Sequence, residues 1–226
     1  MSVQFFAKEV SASATTVALV LGVLGSLLGI ATPAAAQVQT AVEYGFYSYW
    51  DDCYYYNSGV TLVCDYGSYF VTSSPDEMAA LDGGAFDLFG GQFAWQRTGE
   101  TFDVWSGPEN GALPTCRFFK PSFYPEHAYT PYEAECAAVQ ANPDWQYLYE
   151  GIAFYLQVLD ENGNCPPGTT ILYRVYNNGN SGAPAHRVTT SAATFNQMLG
   201  HGWVFEGDSR TFAFACVPSS TAPSMP

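Results

Sequence analysis

Thr72-Ser-Ser-Pro-Asp-Glu-Met78-Ala-Ala-Leu81, Thr130-Pro-Tyr-Glu-Ala-Glu-Cys136-Ala-Ala-Val139 and Thr189-Thr-Ser-Ala-Ala-Thr-Phe195-Asn-Gln-Met198 carry one pattern three times. Each begins with hydroxyl groups able to accept hydrogen bonds from the free N–H groups of a first helical turn. Each then runs into a short amphipathic helix. Met78, Cys136 and Phe195 correspond, as do Leu81, Val139 and Met198. These are i,i+3 pairs, so each pair shares one helix face, expected to be the buried one. From Thr72 to Thr130 is 58 positions and from Thr130 to Thr189 is 59. Such a period indicates stacked or closed repeats, because no unit of this size buries its own apolar face.

The flanks recur in the same order. Upstream lie Val42-Glu-Tyr-Gly-Phe-Tyr47, Cys116-Arg-Phe-Phe119 and Tyr173-Arg-Val-Tyr176, aromatic and strand-like. A second short strand precedes each threonine: Tyr69–Val71, His127–Tyr129 and His186–Val188. Downstream come Trp95, Trp145 and Trp203; the latter two lead to Glu150-Gly151 and Glu206-Gly207, where the first has Thr98-Gly99. A last aromatic strand is expected at Phe102–Trp105, Phe154–Leu156 and Phe212–Phe214. The expected fold is α+β, mostly β. It comprises three strand-strand-helix-strand-strand units in a compact pseudo-threefold body, with a short open array as the alternative. The units run over residues 37–108, 109–168 and 169–218, with 219–226 as a flexible tail. The first unit departs most. It has Ser68-Tyr69 in place of the histidine, a Tyr-rich insertion bounded by Cys53 and Cys64, and a Gly-rich one from Gly83 to Gly91.

These motifs resemble a family of secreted bacterial repeats of unknown function. Its marks are a Tyr-Arg-x-Tyr strand, a His-x-Tyr-Thr strand and a Trp-x-x-Glu-Gly turn. Here they stand as Tyr173–Tyr176, His127–Thr130 and Trp203–Gly207. The resemblance covers about residues 40–218. It implies repeats that follow secreted hydrolases or occur alone, and it carries over no catalytic activity.

Composition bounds the rest. The 226 residues hold 21 Asp and Glu against 7 Lys and Arg, a net charge of −14. Such a chain lacks the cations that displace phosphate counterions, so no nucleic-acid partner is expected. With 16% aromatic and only 12% charged residues it is not a disordered chain. Residues 1–36 read as a signal peptide, with an apolar run near Thr16–Ala31 and Ala34-Ala35-Ala36 before cleavage at Gln37. A secreted or periplasmic location follows, with no membrane association after cleavage.

An even number of cysteines, six, in an exported chain indicates three disulfides. Cys53 and Cys64 flank the turn-like Asn57-Ser58-Gly59 within one insertion and are expected to join each other. The family resemblance implies Cys116 with Cys136, which leaves Cys165 with Cys216. The competing pattern joins Cys136 to Cys165 and Cys116 to Cys216.

His127 and His186 hold the same repeat position. They read as hydrogen-bonded imidazoles fixing the strand-to-helix turn, or alternatively as ligand contacts. Tyr54, Tyr55, Tyr56 and Tyr129 complete the candidate binding set, since a tyrosine offers a flat face plus a hydroxyl; Tyr54–Tyr56 read equally as an aromatic hairpin packed on the body and stapled by a disulfide. No catalytic residue, metal site or cofactor is expected. Gly207-Asp208-Ser209 has no base in sequence order after it, and Asp160–Asn164 lacks the closing residues of a calcium loop. Glu150 and Glu206 read as partners of Arg117 and Arg174, because a catalytic carboxylate is needed once whereas these recur as repeat copies. The expected function is a secreted, non-catalytic binding module for a glycan or envelope polymer. The alternatives are a small hydrolase using His127 or His186 with nearby carboxylates, and a purely structural exported protein.

Overall fold

A computed structural model describes residues 37–48, 53–56, 61–64, 67–87, 93–121, 125–179 and 184–220. The signal segment lies outside them. Among the described residues the fold is mostly β with three α-helices. β1 (Val38–Ser48) pairs with β4 (Tyr69–Thr72), which leads through α1 (Pro75–Asp82) to β5 (Phe93–Trp105), and β5 returns antiparallel to β1. β6 (Leu113–Lys120), β7 (Glu126–Thr130), α2 (Glu133–Ala141) and β8 (Leu148–Leu156) follow the same course. So do β9 (Thr169–Tyr176), β10 (His186–Thr189) and α3 (Ala192–Gly200), after which β11 (Val204–Phe205) and β12 (Ala215–Pro218) both pair with β9. The first two segments share a six-stranded sheet ordered β4-β1-β5-β8-β6-β7. A small hairpin, β2 (Cys53–Tyr56) with β3 (Thr61–Cys64), stands off it.

The three threonines do one local job. Thr72, Thr130 and Thr189 each accept the backbone N–H two residues on, at 2.9, 3.1 and 2.9 Å. That bond turns the chain from strand into helix. The cap itself falls to Ser74 in α1 and Ser191 in α3, whereas α2 starts at Tyr132 with no side-chain cap. The i,i+3 pairs face inward as expected: Leu81, Cys136, Phe195 and Met198 are buried, and Met78 and Val139 pack beside them. The main core draws on all three segments, with Val71, Val104, Tyr129, Leu156, Leu172, Val188 and Val217 in one cluster. Tyr129 ties two of them, its hydroxyl donating to the Val71 carbonyl and accepting the Val71 N–H, both at 2.9 Å.

The closing strands differ from expectation. Thr98-Gly99 and Glu150-Gly151 do not end a strand. Each is a bulge inside one long strand: Thr98, Gly99 and Glu100 face Glu43 alone, and Glu150 is the extra residue opposite Arg117–Phe118. Gly99 and Gly151, at φ +90° and +107°, supply the left-handed backbone that lets pairing resume. In the third segment the bulge has grown into a loop over residues 206–214. Phe212–Phe214 therefore does not form the last strand, which begins at Ala215. Phe212 adopts φ +56°, and Asp208 pins the loop by accepting the Arg210 N–H at 2.8 Å.

Two disulfides match the expected pairing and exclude the competing one: Cys116–Cys136 and Cys165–Cys216, with Cα–Cα distances of 6.1 and 5.6 Å. Cys53 stands directly opposite Cys64 across β2–β3. The side chains of that hairpin, Tyr54, Tyr55 and Tyr56 included, lie outside the described residues. Among the described residues no helix is long and apolar enough to cross a membrane.

Candidate binding site

The pairing registers set the polar residues. Cys116 lies opposite Thr130 and Tyr173 opposite Thr189, so Arg117 and Arg174 occupy one equivalent place on β6 and β9. Each guanidinium reaches back to the helix of the preceding segment. Arg117 donates to both oxygens of Glu77 at 2.8 and 2.9 Å, and Arg174 donates to Glu135 at 2.8 Å. Each also meets the bulge or loop carboxylate of its own segment: Nε of Arg117 lies 2.9 Å from Glu150, and Nε of Arg174 lies 3.0 Å from Glu206. The expected pairs thus form. The links to Glu77 and Glu135 were not foreseen, because they cross from one segment to the next. Thr72 and Thr130 donate their hydroxyls to the same helix carboxylates, Thr130 at 2.6 Å.

At the remaining junction the charges are exchanged. Glu43 sits where the other first strands have arginine, and it accepts from Arg187 at 2.7 and 3.0 Å. Thr194 replaces the helix carboxylate. Its hydroxyl and that of Thr189 donate to Glu100, which reaches in from the β5 bulge. All three guanidiniums lie over aromatic rings: Arg117 over Phe70 at 5.2 Å, Arg174 over Phe214 at 4.0 Å and Arg187 over Tyr69 at 4.3 Å.

Two junctions open into pockets. The first, about 660 Å³, has Phe46, Phe70, Trp95 and Phe119 in its walls, with Glu77, Arg117, His127 and Glu150 among the polar groups. The second, about 430 Å³, holds the matching set Glu135, Arg174, His186 and Glu206, with Tyr147, Tyr176 and Trp145 around it. At the third junction Tyr69, the counterpart of the two histidines, is buried against Trp203 at 5.9 Å within a core of Val175, Phe195 and Met198.

The two histidines diverge. His127 is 8% exposed and packs on Phe70, Phe119 and Trp95, with centroids 4.5, 5.1 and 5.9 Å away. Its Nδ1 is buried without a hydrogen-bond partner, and Nε2 stands 3.6 Å from Glu150. It does not fix the turn by hydrogen bonding, as expected from sequence; it is an aromatic wall. Burial, then the Arg117 charge, push its pKa down to about 3. His186 lies between two carboxylates, Nδ1 2.5 Å from buried Glu126 and Nε2 3.3 Å from Glu206, and it stacks on Tyr176. Burial opposes its charge, but the bonds to Glu126 and Glu206 prevail and raise its pKa. Glu206 is held below the usual carboxylate range: burial works against this, and His186 and Arg174 outweigh it.

These shifts have opposite consequences. His127 resists protonation in the fold, so unfolding takes up a proton and stability falls as pH drops from about 6.5 toward 3. His186 is the reverse; its contribution is complete below about 6.5 and is lost as pH rises through its raised value. Replacing His127 by Phe is therefore expected to relieve the acid side alone. The variant should gain on the parent by up to about 1.4 kcal/mol per pH unit below pH 6. Urea unfolding at a series of pH values checks this, and a pH-independent difference would contradict it.

Other sequence candidates serve the framework. Asp208 of Gly207-Asp208-Ser209 is clamped by Arg210, which lowers its pKa to about 2. Asp160 accepts the N–H groups of Asn162 and Asn164 at 2.9 and 2.8 Å, closing its loop on itself. Tyr129 touches the second pocket while its hydroxyl is engaged in the core. The repeat pattern makes Trp145 one of three corresponding tryptophans. Trp95 and Trp203 are buried, but Trp145 is 47% exposed. Asn142-Pro143 starts a tight helical turn, and Gln146 at φ +60° ends it, turning the indole outward.

A fold of this order, with an Arg-carboxylate knot at each segment boundary, defines a class by its framework. Residues 67–211 match the family model described as "Domain of unknown function (DUF5648)", and the chain belongs to that family. The matched stretch contains the polar set of both pockets; β1 and β12 lie beyond it. No curated protein and no solved structure matches the chain.

Proposed function

We propose that this protein is an exported, non-catalytic binding module that holds a neutral glycan of the cell envelope in the pocket beneath Trp145. The observation that carries this reading is the exposed indole at the mouth of a polar pocket. A half-exposed Trp presents a flat apolar face to a sugar ring. Glu135, Asp144 and Glu206 offer acceptors to sugar hydroxyls, and Lys120 offers a donor. Acidic and basic groups nearly balance there, whereas the chain as a whole carries −14, which disfavours an anionic polymer. The signal-like residues 1–36 and two disulfides support export.

We further read the body as three copies of one unit, over residues 37–108, 109–168 and 169–218, closed about a pseudo-threefold axis. In support, β4, β7 and β10 each touch the other two. The last strands also meet, Trp105 with Tyr155 and Gln157 with Cys216.

Glycan pull-down and titration calorimetry with neutral envelope polysaccharides test the binding reading. Trp145→Ala should lower affinity about tenfold or more. Absence of binding to any glycan would favour a purely structural role. The hydrolase reading draws on His186 between Glu126 and Glu206. However, both imidazole nitrogens face carboxylates rather than a nucleophile. Ester, peptide or glycan hydrolysis abolished by His186→Ala would establish that reading instead.

A further inference from the structure

We propose that the pocket around Trp95, distinct from the one under Trp145, is a receptor for an amphipathic organic cation: an amine or quaternary ammonium on an apolar or aromatic body. Its volume of about 660 Å³ lies in the range of small-molecule sites, as do its largely apolar walls. Phe46, Phe70, Trp95 and Phe119 supply aromatic faces, the groups that attract a desolvated cation. Four carboxylates, Asp76, Glu77, Asp87 and Glu150, line the pocket against one guanidinium, Arg117.

That guanidinium is committed. Arg117 spends its donors on both oxygens of Glu77 and on Glu150, and its flat face on Phe70. Its charge is therefore already matched by two carboxylates, which leaves little attraction for an anion. His127 stays neutral for the reasons given above. Glu77 accepts three hydrogen bonds, two from Arg117 and one from Thr72, and both its oxygens are engaged. Glu150 is engaged at one oxygen: Arg117 and His127 both approach Oε2, and a carboxylate has about four lone-pair sites. Asp76 and Asp87 are exposed at the rim. The unspent charge is thus negative and the surface behind it aromatic. The second pocket, with Lys120 and a charge-favouring His186, lacks this imbalance.

Three probes with one skeleton test the inference: 4-phenylbutylammonium, 4-phenylbutan-1-ol and 4-phenylbutyrate, titrated into the purified protein and followed by calorimetry and the Trp indole N–H resonances. The ammonium should bind about tenfold or more tightly than the alcohol, with the carboxylate weakest. Added salt should narrow the gap. Glu150→Gln should bring the ammonium down toward the alcohol and leave the alcohol unchanged. Should that variant fold poorly, Asp76→Asn with Asp87→Asn, both exposed, should lower ammonium affinity about threefold. Ala80→Trp, which fills the pocket from α1, should abolish binding of all three while sparing any glycan bound beneath Trp145. Equal affinity for ammonium and alcohol, preference for the carboxylate, no binding of any probe, or ammonium binding that survives Ala80→Trp would overturn the inference.

Discussion

Arg187→Met is expected to cost about 3–5 kcal/mol at neutral pH, the range for stranding one member of a buried ion pair. Glu43 is fully buried and Arg187 only 10% exposed, so neither charge is paid back by water. Two hydrogen bonds from Arg187 and one from Thr98 at 2.7 Å hold the carboxylate. Burial raises the Glu43 pKa even against the pull of Arg187. Without the guanidinium it should rise further. The folded state then binds a proton more readily than the unfolded chain, which favours folding at low pH and is lost as pH rises. The cost of the substitution should therefore shrink as pH falls toward 4.5. Glu43→Leu with Arg187→Met removes both charges and should recover most of the loss. Guanidinium unfolding at pH 5 and pH 8 decides; a loss under about 1 kcal/mol, or one indifferent to pH, would refute the assignment.

The disulfides should rank by the loop each closes. Cys165–Cys216 spans 51 residues and Cys116–Cys136 spans 20. In the chain-entropy model, removing the first as a Ser/Ser pair costs about 4 kcal/mol and removing the second about 3 kcal/mol. The longer bridge also fastens β12 to the loop before β9, where Cys216 is already paired opposite Ile171 and Gln157. Losing it should loosen the contribution of Val217 and Ala215 to the shared core. The shorter bridge pins α2 to β6 beside Glu135, so its loss should also loosen the Glu135–Arg174 pair. Denaturant midpoints of the two double-serine variants give the order; the reverse order would mean that these bridges act mainly through the folded state.

What could be read in the sequence was local. The capping stretches, the i,i+3 faces and the Arg117–Glu150 and Arg174–Glu206 pairs follow from period and residue type within one segment. What could not be read depends on neighbours far away in the chain. Arg117 meets Glu77 across 40 positions, and Arg187 meets Glu43 across 144. Neither pocket exists within a single segment, so no motif announces one. The bulges misled because Gly99 and Gly151 look like turn residues, and a positive φ also serves a strand that skips residues and goes on. Trp145 kept the position of its counterparts and lost their burial, because it is itself the last residue of the tight turn Pro143–Trp145.

The exchanged charges at the last junction bear on assembly. At the two interior boundaries a first-strand arginine meets a helix carboxylate. β1 instead presents Glu43, which would repel those carboxylates. An N-terminal hairpin can dock only where Arg187 waits, on its own third segment or on that of another copy. A chain that reached into a neighbour could exchange hairpins reciprocally and close as a pair. At an interior boundary Glu43 would face Glu77 or Glu135, like against like. The inverted pair thus acts as a key, written in charge, that tells the boundary between the third and first segments from the other two.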